Sequence, residues 1–368
     1  MNTPKSAQRP VQSLAPSRVW ALSELASGVD ALYLSGRAEP PQELLDRLAA
    51  ARETAQELDE PVEFLVDGIP FQLSPFGWQK YTYSLDHSWG RLGIRKNGRL
   101  PAIRVQARAE ALHGVSPTSV VEFFDEVMTA LVGPVEWSVS RIDLFVDVQG
   151  LDLTPDLGRC FVARSKQLVT YTDGEACTGF QFGNRKSKAF FGRLYDKTAD
   201  MARKGSDWMK DSWGDRYDSV RPVQRLEFEL KRDAIRQFQV SAPADVLAAV
   251  PDMWRYCTHD WLRLCIPTGD ETHSRWPLDP RWHTIQTASL RQAELGLARI
   301  KVRKGAADLG RLVPFLVGYL VSFAALVGTK GVKDTLSALP LHIVSYEQRT
   351  GVTFAQRVIK RRREATFR

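Results

Sequence analysis

The chain has 368 residues, of which 43% are hydrophobic, 10% aromatic and 25% charged. That balance excludes a disordered or fibrous chain, and the length allows a large core and more than one packed unit. Fifty Lys and Arg against 43 Asp and Glu leave a net charge of +7, which favours an anionic partner such as nucleic acid over a basic one.

In chain order, residues 1–17 are polar, contain three prolines and lack an apolar run, so a disordered leader is expected there rather than a secretory signal. Residues 21–37 are predicted to pass from a short helical start into an apolar strand around 29–34. Pro40 and Pro41 then open a helix reaching residue 60. Between 62 and 110, alternating and aromatic runs broken by Gly and Pro predict antiparallel strands and hairpins. Residues 118–131 carry apolar side chains at helical spacing behind Thr118 and Ser119, and 135–148 return to strand.

A further strand ends near Lys231. Ser241 and Pro243 make a cap and first turn for a helix that Pro251 ends or kinks, with helical spacing resuming through Ile266. Another helix follows a Pro-broken loop between 276 and 296. Residues 312–328 carry no charge, but Pro314 and Gly318 interrupt them, so a buried core helix is expected rather than a membrane span. The basic run Lys360 to Arg363 reads as a solvated helix end, with phosphate contact as the alternative. The chain is thus expected to divide into a disordered leader over 1–17, an α+β body over 18–236 and a helical part over 237–368. The body is an antiparallel sheet with helices packed on one face.

The chemistry-bearing residues lie on three strand-like segments, where side chains alternate between faces. Over 141–148, Asp143, Phe145 and Asp147 share a face opposite Ile142, Leu144, Val146 and Val148. Over 225–231, Glu227, Glu229 and Lys231 lie opposite Leu226, Phe228 and Leu230. Over 188–197, Phe191, Arg193, Tyr195 and Lys197 fall on one side, which sets a tyrosine between two cations. If the polar faces of these strands meet, four carboxylates gather near Tyr195, a costly arrangement without a cation. Oxygen-only ligands favour Mg²⁺ or Mn²⁺. Such a site suits phosphoryl transfer with Tyr195 as nucleophile and Arg193 and Lys197 offsetting the developing charge. Taken one strand at a time, the alternative is an amphipathic sheet whose acids face solvent. The stretch 203–221, with Trp208, Trp213 and Tyr217, reads either as a loop that stacks on exposed bases or as an insertion with packed tryptophans.

The run 183–197 (GNRKSKAFFGRLYDK), flanked in order by RIDLFVDV and RLEFELK, resembles the Gly-x-Arg-x-Ser and Tyr-Asp/Glu-Lys signature of the replication initiation factor family. That family comprises the Rep_trans rolling-circle initiators and the MOB_T relaxases. The resemblance spans roughly 29–236. It implies a rolling-circle initiator-like fold and a metal-dependent nickase that cuts one DNA strand and stays joined to the 5′ phosphate through Tyr195. It also implies Asp143 or Asp147, Glu227 and Glu229 as metal-ligand candidates, and Arg185, Lys186 and Lys188 as DNA contacts. The six histidines are isolated, so a His-hydrophobic-His nickase site is absent and an acidic metal site remains.

The expected partner is therefore origin DNA in the cytoplasm, with a helicase and a homodimer as further expectations and no membrane. The expected role is initiation of rolling-circle replication of a plasmid or phage. A relaxase that starts conjugative transfer, a DNA-binding protein that does not cut, and a nuclease in which a metal activates water are the alternatives.

Overall fold

The computed structural model of the chain describes residues 21–288 except 97, 187–188 and 205–207, together with 290, 320, 323–324 and 326–357. The expected leader, the basic run 360–363 and most of the uncharged stretch 312–328 lie outside these residues. Among the described residues, no helix is long and apolar enough to cross a membrane.

The fold is α+β, and it divides into two compact units. One, the amino-terminal unit, comprises Gly28–Asp143, Lys231–Val250 and the described residues beyond 289. The other, the tyrosine unit, comprises Leu144–Leu230, Pro251–Ser289 and the described residues up to Ser27. Residues 237–250 belong with one unit and 251–288 with the other.

In the amino-terminal unit, β1 (Ser23–Arg37) is followed by α1 (Gln42–Leu58) and the meander β2 (Val62–Val66), β3 (Ile69–Leu73), β4 (Tyr83–His87), β5 (Gly90–Ile94) and β6 (Ile103–Ala107). Next come α2 (Ala109–Gly114), α3 (Pro117–Val132) and β7 (Glu136–Gln149). The strand order here is β2-β3-β4-β5-β6-β1-β7, and β1 and β7 contribute residues to both units. Antiparallel register aligns Leu73, Leu85, Leu92, Val105 and Leu34 in one row. All five are at most 1% exposed, and α1 packs over β2 to β4. One residue along each strand, Gln72, Asp86, Arg91, Gln106 and Tyr33 form a row on the opposite, polar face. The helix expected over 118–131 is α3; Ser116 caps it by accepting from the Ser119 N–H at 3.0 Å, and Pro117 sits in its first turn.

The helical start expected before residue 29 is instead strand from Ser23. Leu25 and Ala26 are buried in a cluster with Phe145, Met201, Met209, Trp213 and Val223, and that burial overrides local helix propensity.

The tyrosine unit contains β8 (Phe161–Ala163), β9 (Leu168–Asp173), β10 (Ala176–Phe182), β11 (Phe190–Asp196), α4 (Lys197–Lys204), α5 (Trp208–Trp213) and β12 (Gln224–Lys231). Its strand order is β7-β12-β11-β10-β9. After α6 (Arg232–Ile235) and α7 (Pro243–Ala248) comes α8 (Val250–Tyr256). Pro251 is its second residue, where a missing N–H costs nothing.

The helix expected to continue through Ile266 stops at Tyr256. A π-helical turn over Cys257–Trp261 leads into β13 (Leu262–Leu264), which pairs with β8, because Leu262 and Leu264 gain full burial there. The short α9 (Trp282–Gln286) and the longer α10 (Val332–Thr350) complete the described elements named here. Trp213, 2% exposed, packs in the cluster with Leu25 and Phe145, with Trp208 and Tyr217 against it. Trp213 is thus packed core, and Trp208 packs against it.

Candidate active site around Tyr195

The antiparallel register of β11 and β12 sets the site. Arg193 lies opposite Glu227, Phe191 opposite Glu229 and Tyr195 opposite Arg225, so one sheet face carries all six. Arg193 Nη2 donates to both carboxylate oxygens of Glu227, at 2.8 and 2.9 Å, and the Tyr195 hydroxyl donates to Glu227 Oε2 at 3.4 Å. The Arg193 guanidinium lies 4.8 Å from the Tyr195 ring centroid and Lys197 Nζ lies 5.9 Å from it. Both cations thus lie within 6 Å of the tyrosine ring.

Arg193 reaches it by strand alternation, whereas Lys197 reaches it as the first residue of α4. Lys197 is buried and its Nζ is 3.7 Å from the Asp200 carboxylate, which also accepts from Arg203 and Lys204 at 2.9 Å each. Burial pushes the Asp200 carboxyl up, but the hydrogen bonds from Lys204 and Arg203 and the charges of Lys204 and Lys197 together outweigh it and hold the group below its ordinary value.

On β10, Gly179 stands opposite both Tyr195 and Tyr171. A Cβ there would lie 2.6 Å from the Leu194 carbonyl oxygen and 2.9 Å from Tyr195 Cβ, so only glycine lets β10 approach the tyrosine this closely. A cleft of about 750 Å³ results, lined by Tyr171, Gln181, Arg185, Arg193, Tyr195 and Arg203 among others.

The expected DNA contacts divide. Arg185 is half exposed, and its Nε donates to Glu229 Oε2 at 2.8 Å. Lys186 is exposed in the turn after β10. Lys188 lies outside the described residues.

The four carboxylates expected to hold Mg²⁺ or Mn²⁺ are neither solvent-facing nor clustered for a cation. Asp143, Glu227 and Glu229 are 2% exposed and Asp147 is 0% exposed. Each faces a guanidinium. Arg141 grips both oxygens of Asp143, with its Nε donating at 2.7 Å. Arg225, itself fully buried, donates to Asp147 at 2.6 and 2.8 Å, and Trp213 Nε1 adds a third bond at 2.7 Å. Arg193 and Arg185 hold Glu227 and Glu229.

The positive charge that buried acids require is therefore supplied by arginines. Among the described residues, no group of three or more His, Cys, Asp or Glu side chains is placed to hold a metal ion. As arranged, Asp143, Asp147, Glu227 and Glu229 are each held by an arginine that a divalent cation would have to displace. Asp147 with Arg225 is a core ion pair. One missed partner carried a readable signal: Arg141 precedes Asp143 by the two-residue step that keeps both on one strand face.

No family model and no curated protein matches the chain. Among solved structures it is similar to a rolling circle replication initiator protein from Geobacillus stearothermophilus. The identity is 14%, the match covers 73% of this chain and 98% of that chain, and the TM-score is 0.44.

Proposed function

We propose that the chain nicks and rejoins one DNA strand through Tyr195, starting rolling-circle replication of a plasmid or phage. The observation that carries this reading is a tyrosine hydroxyl at the wall of an open cleft, bonded to a buried carboxylate and flanked by two cations. In the step proposed, Tyr195 Oη attacks a backbone phosphorus and its proton passes to Glu227 Oε2. The Oη–P bond forms as the P–O3′ bond breaks, leaving a 5′-phosphotyrosine and a 3′ oxygen that takes a proton from solvent. Arg193 and Lys197 offset the charge gathering on the phosphate oxygens. Rejoining is the same step reversed. No step is routed through a metal; Arg193 and Lys197 supply the positive charge in the step proposed.

The same step also serves conjugative transfer, and the DNA that is cut distinguishes the two uses. One observation favours the non-cutting alternative: Glu227, the proton acceptor, is already bound to Arg193 through both oxygens.

The test incubates the protein with single-stranded DNA from the element that encodes it, with Mn²⁺ and separately with EDTA, and looks for a protein–DNA adduct on a denaturing gel. An adduct that forms in EDTA and disappears in Tyr195→Phe supports the arginine-based site. Binding without any adduct moves the reading to a DNA-binding protein that does not cut. Cleavage that survives Tyr195→Phe overturns the nucleophile assignment.

A further inference from the structure

Five side chains on the polar face of the amino-terminal sheet alternate cation and ring. Arg91 lies 5.7 Å from the Trp78 ring, Arg104 lies 5.1 Å from Trp78 and 5.4 Å from Tyr33, and Arg141 lies 5.0 Å from Tyr33. The register builds this ladder, since Gly93 stands opposite Arg104, and Gln106 stands between Arg91 and Tyr33. Gly93 leaves room for the turn that brings Trp78 over the face; a Cβ there would lie 2.9 Å from Tyr81 Cγ and 3.1 Å from Trp78 Cε3. The turn is closed by two reciprocal backbone hydrogen bonds between Trp78 and Tyr81, each 3.0 Å.

The outer cations have carboxylate partners. Asp86 takes Arg91 and also Arg108, and Asp143 takes Arg141. The central one does not: Arg104 makes no ion pair among the described residues, and its Nε is buried without a hydrogen-bond partner. A guanidinium fixed by two rings and left without a counter-ion is a standing attraction for an anion. The basic surface continues. Arg37, on the Tyr33 side of β1, lines a groove of about 380 Å³ with Arg232 and Arg236, where Glu136 is the single acid. Two residues before Trp78, Phe76 is 66% exposed and offers a stacking surface to an unpaired base.

We infer that this face binds the backbone of a single-stranded nucleic acid, with a phosphate at Arg104 and the strand running on toward Arg37, Arg232 and Arg236. The surface lies outside the tyrosine unit, and its binding stands whether or not Tyr195 cuts.

The test is fluorescence anisotropy of a labelled oligo(dT) probe with the full-length chain, titrated across a range of salt. Arg104→Gln is expected to weaken binding about fivefold or more and to lower the slope of log affinity against log salt by about 0.7, the single-strand share of one phosphate. Arg104→Lys keeps the charge and most of the affinity. Phe76→Ala weakens oligo(dT) binding and leaves binding of a duplex of the same length unchanged. If circular dichroism shows that Arg104→Gln disturbs the fold, Gln106→Glu serves instead, because it sets a negative charge beside Tyr33 while leaving every ladder member in place, and it should weaken binding as much. Equal affinities and equal salt slopes in the wild type, Arg104→Gln and Gln106→Glu overturn the inference.

Discussion

Replacing Arg225 with methionine should destabilise the tyrosine unit far more than its loss of volume explains. Arg225 and Asp147 are both fully buried and joined by two hydrogen bonds of 2.6 and 2.8 Å, and the guanidinium lies 4.1 Å from the Phe145 ring. Without Arg225, a carboxylate with no solvent access keeps the Trp213 N–H at 2.7 Å and loses its counter-charge. Breaking a buried pair from one side costs about 3–5 kcal/mol. With a denaturant slope of about 3 kcal/mol/M, the urea midpoint should fall by about 1–1.7 M. Removing both charges, in Arg225→Met with Asp147→Leu, should recover most of that loss, because no uncompensated ion remains. Urea unfolding followed by tryptophan fluorescence and by circular dichroism measures all four corners of the cycle. A single variant within about 1 kcal/mol of the wild type, or a double variant as unstable as the sum of the two singles, would refute the account of Asp147 as a core ion-pair partner.

Three further expectations follow from the same geometry. His87 is packed between the Phe71 and Phe123 rings, at 5.0 and 4.7 Å, and accepts from the Trp89 N–H at 3.2 Å. Burial and the charge of Arg108 lower its pKa from 6.5 to about 4, so the folded chain keeps the ring neutral where the unfolded chain protonates it. Stability should thus be complete above about pH 6.5 and decline by up to about 3 kcal/mol as pH falls toward 4, a slope that His87→Phe should flatten in chemical unfolding at several pH values. Glu227→Gln removes the proton acceptor from Tyr195 and should slow adduct formation about 100-fold or more while leaving DNA affinity within a few-fold; unchanged adduct kinetics would count against Glu227 as the base. Gly179→Ala should force β10 away from Leu194 and Tyr195 and cost about 1–3 kcal/mol, read as a lowered melting temperature together with reduced adduct yield.

Much of the site's composition was legible in the chain. Period-2 alternation placed Arg193 and Tyr195 on one face and Glu227 and Glu229 on another, and β11 and β12 meet with those faces together. The alternating runs between 62 and 110 likewise announced the antiparallel strands β2 to β6. These features depend only on the geometry of a strand, which acts over neighbouring residues.

Elsewhere the tertiary structure decided. Asp147 meets an arginine 78 positions away, Glu227 one 34 positions away and Glu229 one 44 positions away. Alternation names the face of a side chain but not the strand that will lie beside it or the layer that will cover it. A carboxylate exposed on an open sheet, one bound to a metal and one neutralised by a buried guanidinium share the same local pattern. The choice among them is made by desolvation: once the sheet faces are covered, each acid must find a counter-charge, and in this fold the arginines are the groups within reach. The strand at Ser23 and the strand at Leu262 have the same origin, because burial of Leu25, Leu262 and Leu264 outweighs the helical preference of their own neighbours.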